Sequence, residues 1–142
     1  MQFLKDRIKS FGFAFRGIRL FFKSGPHAKI HAIAALLVLF GGTYFKVSAI
    51  EWALLILSIA IVFAAEAFNT AIEELADIIE PDFDKRIGRI KDISAGAVLF
   101  LVFGSLIIGV FVLSSALERI IGSKKFSIVY FGTLILSSVA VS

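Results

Sequence analysis

The sequence predicts an all-α membrane protein: an amphipathic interfacial helix, three transmembrane helices and a marginal fourth span at the C-terminal end. Three observations carry that reading. Of 142 residues, 58% are hydrophobic and 18% charged, with mean hydropathy +0.93, against roughly 45–50% apolar and 25% charged in soluble domains. A soluble fold of this size leaves roughly 30% of its exposable surface in water, so the surplus apolar surface needs lipid. Uncharged runs approaching the length that crosses about 30 Å of hydrocarbon recur along the chain, and a segment mixing basic and apolar residues at helical spacing precedes them. A chain of 142 residues accommodates one compact membrane domain. Cysteine is absent, which excludes disulfides, thiolate metal sites and cysteine nucleophiles.

The interfacial helix is placed at 2–23. Leu4, Ile8, Phe11, Phe15, Ile18 and Phe22 recur at steps of four and three, which puts them on one face. Lys5, Arg7, Lys9, Arg16, Arg19 and Lys23 fill other positions, the pattern of a helix lying in the headgroup layer. A cleaved signal peptide would need a continuous apolar run, and here charges persist through Lys29. The first span, about 30–50, centres on Ala32 to Phe45 and reaches crossing length with His31 and Lys46 at its interfaces, where lysine can snorkel. The second, about 52–76, contains Glu66 and Asn69; the third, about 93–117, has no charge at all. Residues 126–142 are apolar but short, and form the marginal fourth span. Pro81 and Gly88 mark Glu80 to Asp92 as a loop. Lys5, Arg7, Lys9, Arg16, Arg19, Lys23 and Lys29 precede the first span, and Lys85, Arg86, Arg89 and Lys91 lie between the second and third. The positive-inside rule therefore makes the amino terminus and the 78–92 loop cytoplasmic, although Arg119, Lys124 and Lys125 then fall on the outer side.

The informative stretch is Ala65 to Asp77, A-E-A-F-N-T-A-I-E-E-L-A-D. At 100° per residue, Asn69 lies about 60° from Glu66, and Glu73 and Asp77 each within about 20° of it. Such a carboxylate inside the bilayer costs at least about 2.5 kcal/mol on insertion scales, which makes function the default hypothesis. A protonated, hydrogen-bonded Glu66 acting as packing glue is the structural alternative. Carboxylate and amide oxygens at turn spacing can hold Mg²⁺, a hard ion that keeps waters and phosphate in its shell. A deeper carboxylate can take a proton from a substrate hydroxyl. Lys91 and Asp92 sit at the entrance of the third span, where Lys91 could meet phosphate oxygens and Asp92 could hold Lys91 or a metal. Soluble phosphate-binding motifs are absent: Gly12-Phe-Ala-Phe-Arg-Gly17 is followed by Ile18 and Arg19 rather than Lys and Ser/Thr. The residues also leave open an ion or proton channel or transporter lined by Glu66 and Asn69.

E66-A-F-N-T-A-I-E73, Asp77 and the downstream I-K91-D92-I-S-A-G-A-V-L resemble the small integral-membrane prokaryotic diacylglycerol kinase and undecaprenol kinase family. G12-F-A-F-R-G17-I-R and K29-I-H31 match the same pattern, over roughly residues 7 to 117. The resemblance implies a homotrimer in the bacterial inner membrane, with composite sites between subunits. It further implies transfer of the γ-phosphate of MgATP to the hydroxyl of a lipid alcohol, undecaprenol or diacylglycerol, and no nucleic-acid partner. Carried over by position, Glu66 is the general base and contacts the lipid, Asn69 supports it, and Glu73 holds Mg²⁺ on the ATP phosphates. Arg7, Phe13, Asp82, Phe83, Asp84, Lys91 and Asp92 fall at nucleotide positions, and Arg19 and Ala95 at lipid positions. Gly25 stands where many members have a second metal-binding Glu, Phe13 where Tyr is frequent, and Asp6 where an early Arg aligns, so Arg7 is taken as its substitute. Gly25 also motivates a further alternative, a catalytically inactive lipid-binding relative. The A-E-A-F-N-T-A-I-E form and K-I-H look closer to the undecaprenol branch.

Overall fold

The computed structural model describes residues 2–24 and 26–121. Gly25 and the marginal span 126–142 lie outside the described residues. The described chain forms four helices and no strand: α1 (Gln2–Ser24), α2 (Pro26–Tyr44), α3 (Ala49–Ile79) and α4 (Lys85–Ile121). At 1.5 Å per residue, the 31 residues of α3 extend about 46 Å and the 37 of α4 about 55 Å. Both are long and apolar enough to cross a membrane, with turns to spare beyond about 30 Å of hydrocarbon. The 19 residues of α2 reach only about 28 Å.

Local chemistry sets the helix ends. Pro26 opens α2, where a missing N–H leaves no hydrogen bond unmade. At its other end the Val47 N–H donates to the Gly42 carbonyl at 3.1 Å and the Lys46 N–H to Thr43 at 3.3 Å. Those two bonds close a Schellman motif, with Lys46 at φ 51° in the left-handed position usually filled by glycine. A capping box starts α3: the Ser48 N–H donates to Glu51 Oε2 at 2.6 Å and the Glu51 N–H to Ser48 Oγ at 3.4 Å. For α4, Asp84 Oδ1 accepts from the Arg86 N–H at 2.6 Å and the Ile87 N–H at 3.3 Å, the bonds of an N-cap. This cap corrects the expected 80–92 loop: the connector is only 80–84, and Lys91 and Asp92 are helical. Nothing crowds Gly88, so its cost of about 1 kcal/mol in a helix is the ordinary one and the capped helix absorbs it.

The chain divides into two compact units that share α2, α3 and α4. The first comprises α1, residues 26–34, and residues 63–98, which hold the end of α3, the connector and the start of α4. Here Phe21 and Phe22 of α1 pack edge-on against Phe63 of α3, with centroids 6.3 and 5.7 Å away, and Ala28, Ala76 and Val98 are buried. In the second, residues 35–62 and 99–121 bury Leu55, Val62, Val112 and Ala116. Gly42 lies so close to Trp52 that a Cβ there would meet the indole at 2.8 Å. Arg119 forks onto Glu51, Nη1 to Oε1 at 2.9 Å and Nη2 to Oε2 at 2.8 Å, and Nη1 also donates to Ser115 Oγ at 2.8 Å. That pairing neutralises the cation that fitted the positive-inside pattern poorly.

No large side chain is fully buried among the described residues, while Phe40, Ile78 and Phe100 are about three-quarters exposed or more. Apolar surface therefore faces outward, as lipid or neighbouring chains require and water does not. The seam of α3 that turns inward, Glu51, Leu55, Ser58, Val62, Glu66, Asn69 and Ala76, recurs at helical spacing and carries four polar residues.

Two predictions follow from these contacts. The Glu51 side chain is 12% exposed and that of Arg119 44%, so Arg119→Ala leaves a mostly buried carboxylate unpaired and lowers stability by about 2 kcal/mol; thermal unfolding in detergent micelles measures it, and an unchanged midpoint contradicts the clamp. The Arg86 guanidinium, with the Arg86 and Ile87 backbone N–H groups, holds the Asp84 carboxyl below the usual aspartate range. A lowered value in the folded state stabilises above the ordinary pKa of about 3.9. Wild type should therefore exceed Asp84→Ala in unfolding midpoint at pH 7, with the gap closing as pH falls below about 4.

Candidate active site

α3 is apolar over most of its length, and each polar group on it must be accounted for. The hydroxyls of Ser58 and Thr70 donate to their own helix, to the carbonyls of Leu54 at 2.8 Å and Glu66 at 2.9 Å. Glu51 is capped and paired as described. Glu74 and Asp77 are exposed, and Glu66, Asn69 and Glu73 remain, brought onto one face within the first unit.

Glu66 is 4% exposed and Asn69 6%. The Asn69 Nδ2 donates to Glu73 Oε1 at 2.8 Å. Only the amide nitrogen can donate to a carboxylate, so the oxygen is turned away, and Asn69 Oδ1 is buried without a hydrogen-bond partner. The Glu66 side chain makes no hydrogen bond among the described residues. Glu73 is half-buried and uses only one carboxylate oxygen. Three groups thus stand along one face with unused acceptor capacity: the Glu66 carboxylate, Asn69 Oδ1 and Glu73 Oε2. Phe63, one turn before Glu66, receives Phe21 and Phe22 and so seats the end of α1 beside the stripe.

The stripe ends at a cation. The Lys91 ammonium of α4 donates to the Asp77 carboxylate of α3. Lys91 therefore meets Asp77 rather than its neighbour Asp92, which is exposed. Among the connector residues, Asp82 is exposed, Phe83 is 94% exposed, and Asp84 is taken up by the α4 cap. Arg7, Phe13 and Arg19 lie on exposed positions of α1 and make no hydrogen bond or ion pair to α3 or α4 among the described residues. Their ring contacts stay within α1: Arg7 over Phe3 at 5.0 Å, and Lys9 and Arg16 over Phe13, each at 5.9 Å. Ala95 is exposed on α4. One chain thus assembles Glu66, Asn69, Glu73, Asp77 and Lys91, and leaves the α1 and connector candidates apart from them.

Among the described residues, no three His, Asp or Glu side chains gather to hold a metal. Yet the donor set suits Mg²⁺, which takes one or two carboxylates and completes its shell with water and phosphate. Glu73 Oε2 and the orphaned Asn69 Oδ1 are hard oxygen donors of that kind.

Residues 12–113 match the prokaryotic diacylglycerol kinase family. The chain belongs to that family. It is 38% identical over 104 residues to the undecaprenol kinase of Bacillus subtilis strain 168, covering 73% of this chain and 85% of that protein. It is 31% identical over 100 residues to the diacylglycerol kinase of Escherichia coli strain K12, covering 70% and 82%. A diacylglycerol kinase of Synechocystis strain PCC 6803 is 28% identical over 109 residues, covering 76% and 62%. The family match contains Glu66, Asn69, Glu73, Asp77 and Lys91.

The helical period alone aligns the three acids and the amide of the stripe, whereas the sequence leaves Asp92 to hold Lys91 or a metal and does not point to the Lys91–Asp77 pair. Asp77 and Lys91, opposite charges flanking a short helix–helix connector, were the available signal. Ser48 to Glu51, an S-x-x-E start, likewise announced the capping box that begins α3 before residue 52.

Asn69→Leu removes an unsatisfied buried oxygen and one hydrogen bond together, effects of opposite sign and of about 1 kcal/mol each. Its unfolding midpoint in detergent should stay within about 1 kcal/mol of wild type. A large fall would mean that Oδ1 already has a partner.

Proposed function

We propose that this lipid kinase transfers the γ-phosphate of MgATP to the hydroxyl of a membrane lipid alcohol, with undecaprenol preferred over diacylglycerol. The observation that carries this reading is the buried row of Glu66, Asn69 and Glu73 on an apolar helix, with Asn69 bonded to Glu73 and its oxygen left over. A row of acceptors leading inward from a charged helix end can place an apolar alcohol and a polar nucleotide together. The two named relatives above 30% identity supply the two substrate classes, and the higher identity to the undecaprenol kinase supports the preference.

Phosphoryl transfer is chiefly positioning and charge neutralisation. Glu66 accepts the hydroxyl proton as the new O–P bond forms and the bond to the departing ADP oxygen breaks. Its burial limits the access of water, which would otherwise compete for the phosphoryl group. Asn69 orients Glu73, whose free oxygen would hold Mg²⁺; the ion supplies neutralisation of phosphate charge. Lys91 meets the phosphates, while Asp92, Asp82, Phe83 and Asp84 border the nucleotide. Arg7 and Phe13 reach it, and Arg19 and Ala95 contact the lipid, from a neighbouring subunit of a homotrimer, since one chain leaves them apart. The three helices α2 to α4 cross the bacterial inner membrane near 30–50, 52–76 and 93–117. α1 lies at the cytoplasmic interface, and the amino terminus and the 78–92 segment are cytoplasmic.

The test uses purified protein in mixed micelles with labelled ATP, Mg²⁺ and either lipid. Label should enter undecaprenol more readily than diacylglycerol, and Glu66→Gln should transfer at least about 100-fold more slowly, the scale of a lost general base. No label in either lipid, or a Glu66→Gln enzyme as fast as wild type, contradicts the proposal.

A further inference from the structure

Lys91 is the cation seen to pair with the acidic stripe of α3 among the described residues, and three acids on that face compete for it: Glu66, Glu73 and Asp77. Glu73 and Asp77 are one turn apart, about 6 Å along the axis, within the swing of a four-carbon lysine stem. The structure assigns the ammonium to Asp77 and gives Glu73 the neutral amide of Asn69 instead. Glu73 Oε2 is thereby left without a hydrogen bond among the described residues. Stability does not explain the choice. The Asp77 and Lys91 side chains are 66% and 33% exposed, and ion pairs so open to solvent add little to folding.

We propose that Asp77 is a positioning residue, which holds Lys91 off Glu73 and one turn beyond it. This rests on the MgATP-dependent reading above. If Lys91 paired with Glu73, its ammonium would neutralise the carboxylate that receives the metal and fill the space the metal needs. Held at Asp77, it keeps a cation beside the metal position without discharging it. With Mg²⁺ held by Glu73, phosphate oxygens would find the Lys91 ammonium as a second, separate positive charge. The exchange needs no covalent step: Lys91 shares its three N–H donors between Asp77 and phosphate.

Asp77→Asn keeps the shape and removes the charge. In the labelled-phosphate assay it should raise KM for MgATP about tenfold and shift half-activation to higher Mg²⁺, while kcat stays within about threefold and the unfolding midpoint is unchanged. Asp77→Glu should restore most of the KM, because a longer carboxylate still holds the ammonium. Acetylation of the full-length protein in micelles, mapped residue by residue, reads the pair without turnover: Lys91 should react several-fold faster in Asp77→Asn than in wild type. An unchanged KM, a loss confined to kcat, no rescue by Glu, or equal acetylation of Lys91 in both proteins overturns the inference. These outcomes differ from failure of the kinase reading, in which wild type itself labels no lipid; that result overturns both together.

Discussion

The constraint on which the molecule depends is the cost of an unpaired carboxylate in an apolar helix. Glu66 lies buried on α3 without a hydrogen bond among the described residues, where an aliphatic side chain would pack at no such cost. Other polar groups of α3 are satisfied locally or by a neighbouring helix. Ser58 and Thr70 return their hydroxyls to the α3 backbone, Glu51 is held by a capping box and an arginine fork, and Asp77 by Lys91. On the face of α3 that carries Glu66, the residues Glu66, Asn69 and Glu73 keep unused acceptors away from full exposure to solvent. Satisfied polar groups stabilise a fold; unsatisfied ones on one face can receive a ligand.

The same constraint separates what was legible in the sequence from what was not. Charge is scarce in this chain, so each intramembrane acid stands out, and the helical period places Glu66, Asn69, Glu73 and Asp77 on one face by arithmetic alone. The helices themselves follow from the uncharged runs. Side-chain pairing between helices does not follow, because it depends on how α3 and α4 meet. Lys91 has adjacent Asp92 and distant Asp77 as candidate partners, and sequence proximity does not point to Asp77, with which it pairs. In a loop the adjacent Asp92 could turn toward Lys91, but on a helix neighbouring side chains diverge by 100°.

The misread loop at 85–92 has a similar cause. Pro81 and Gly88 punctuate the sequence, but their weight depends on a cap that competes with them. Asp84 supplies two backbone bonds at the start of α4, against roughly 1 kcal/mol for one helical glycine. The consequence is functional. A helical Lys91 is held on a defined face at a defined height above Asp77, whereas in a loop its ammonium would have no fixed partner. Arg119 shows the parallel case in the other unit: its charge contradicts a simple topology rule until Glu51 is seen to cancel it.

The proposed mechanism divides the labour along α3: the carboxylate at Glu66 would serve the hydroxyl, and that at Glu73 the metal on the nucleotide. Protection of the full-length protein against heat by MgATP, without lipid, separates the two most directly. Glu66→Gln should be protected as well as wild type, since its change lies at the alcohol, and Glu73→Ala should gain no protection. Protection surviving in Glu73→Ala, or vanishing in Glu66→Gln, would contradict the account.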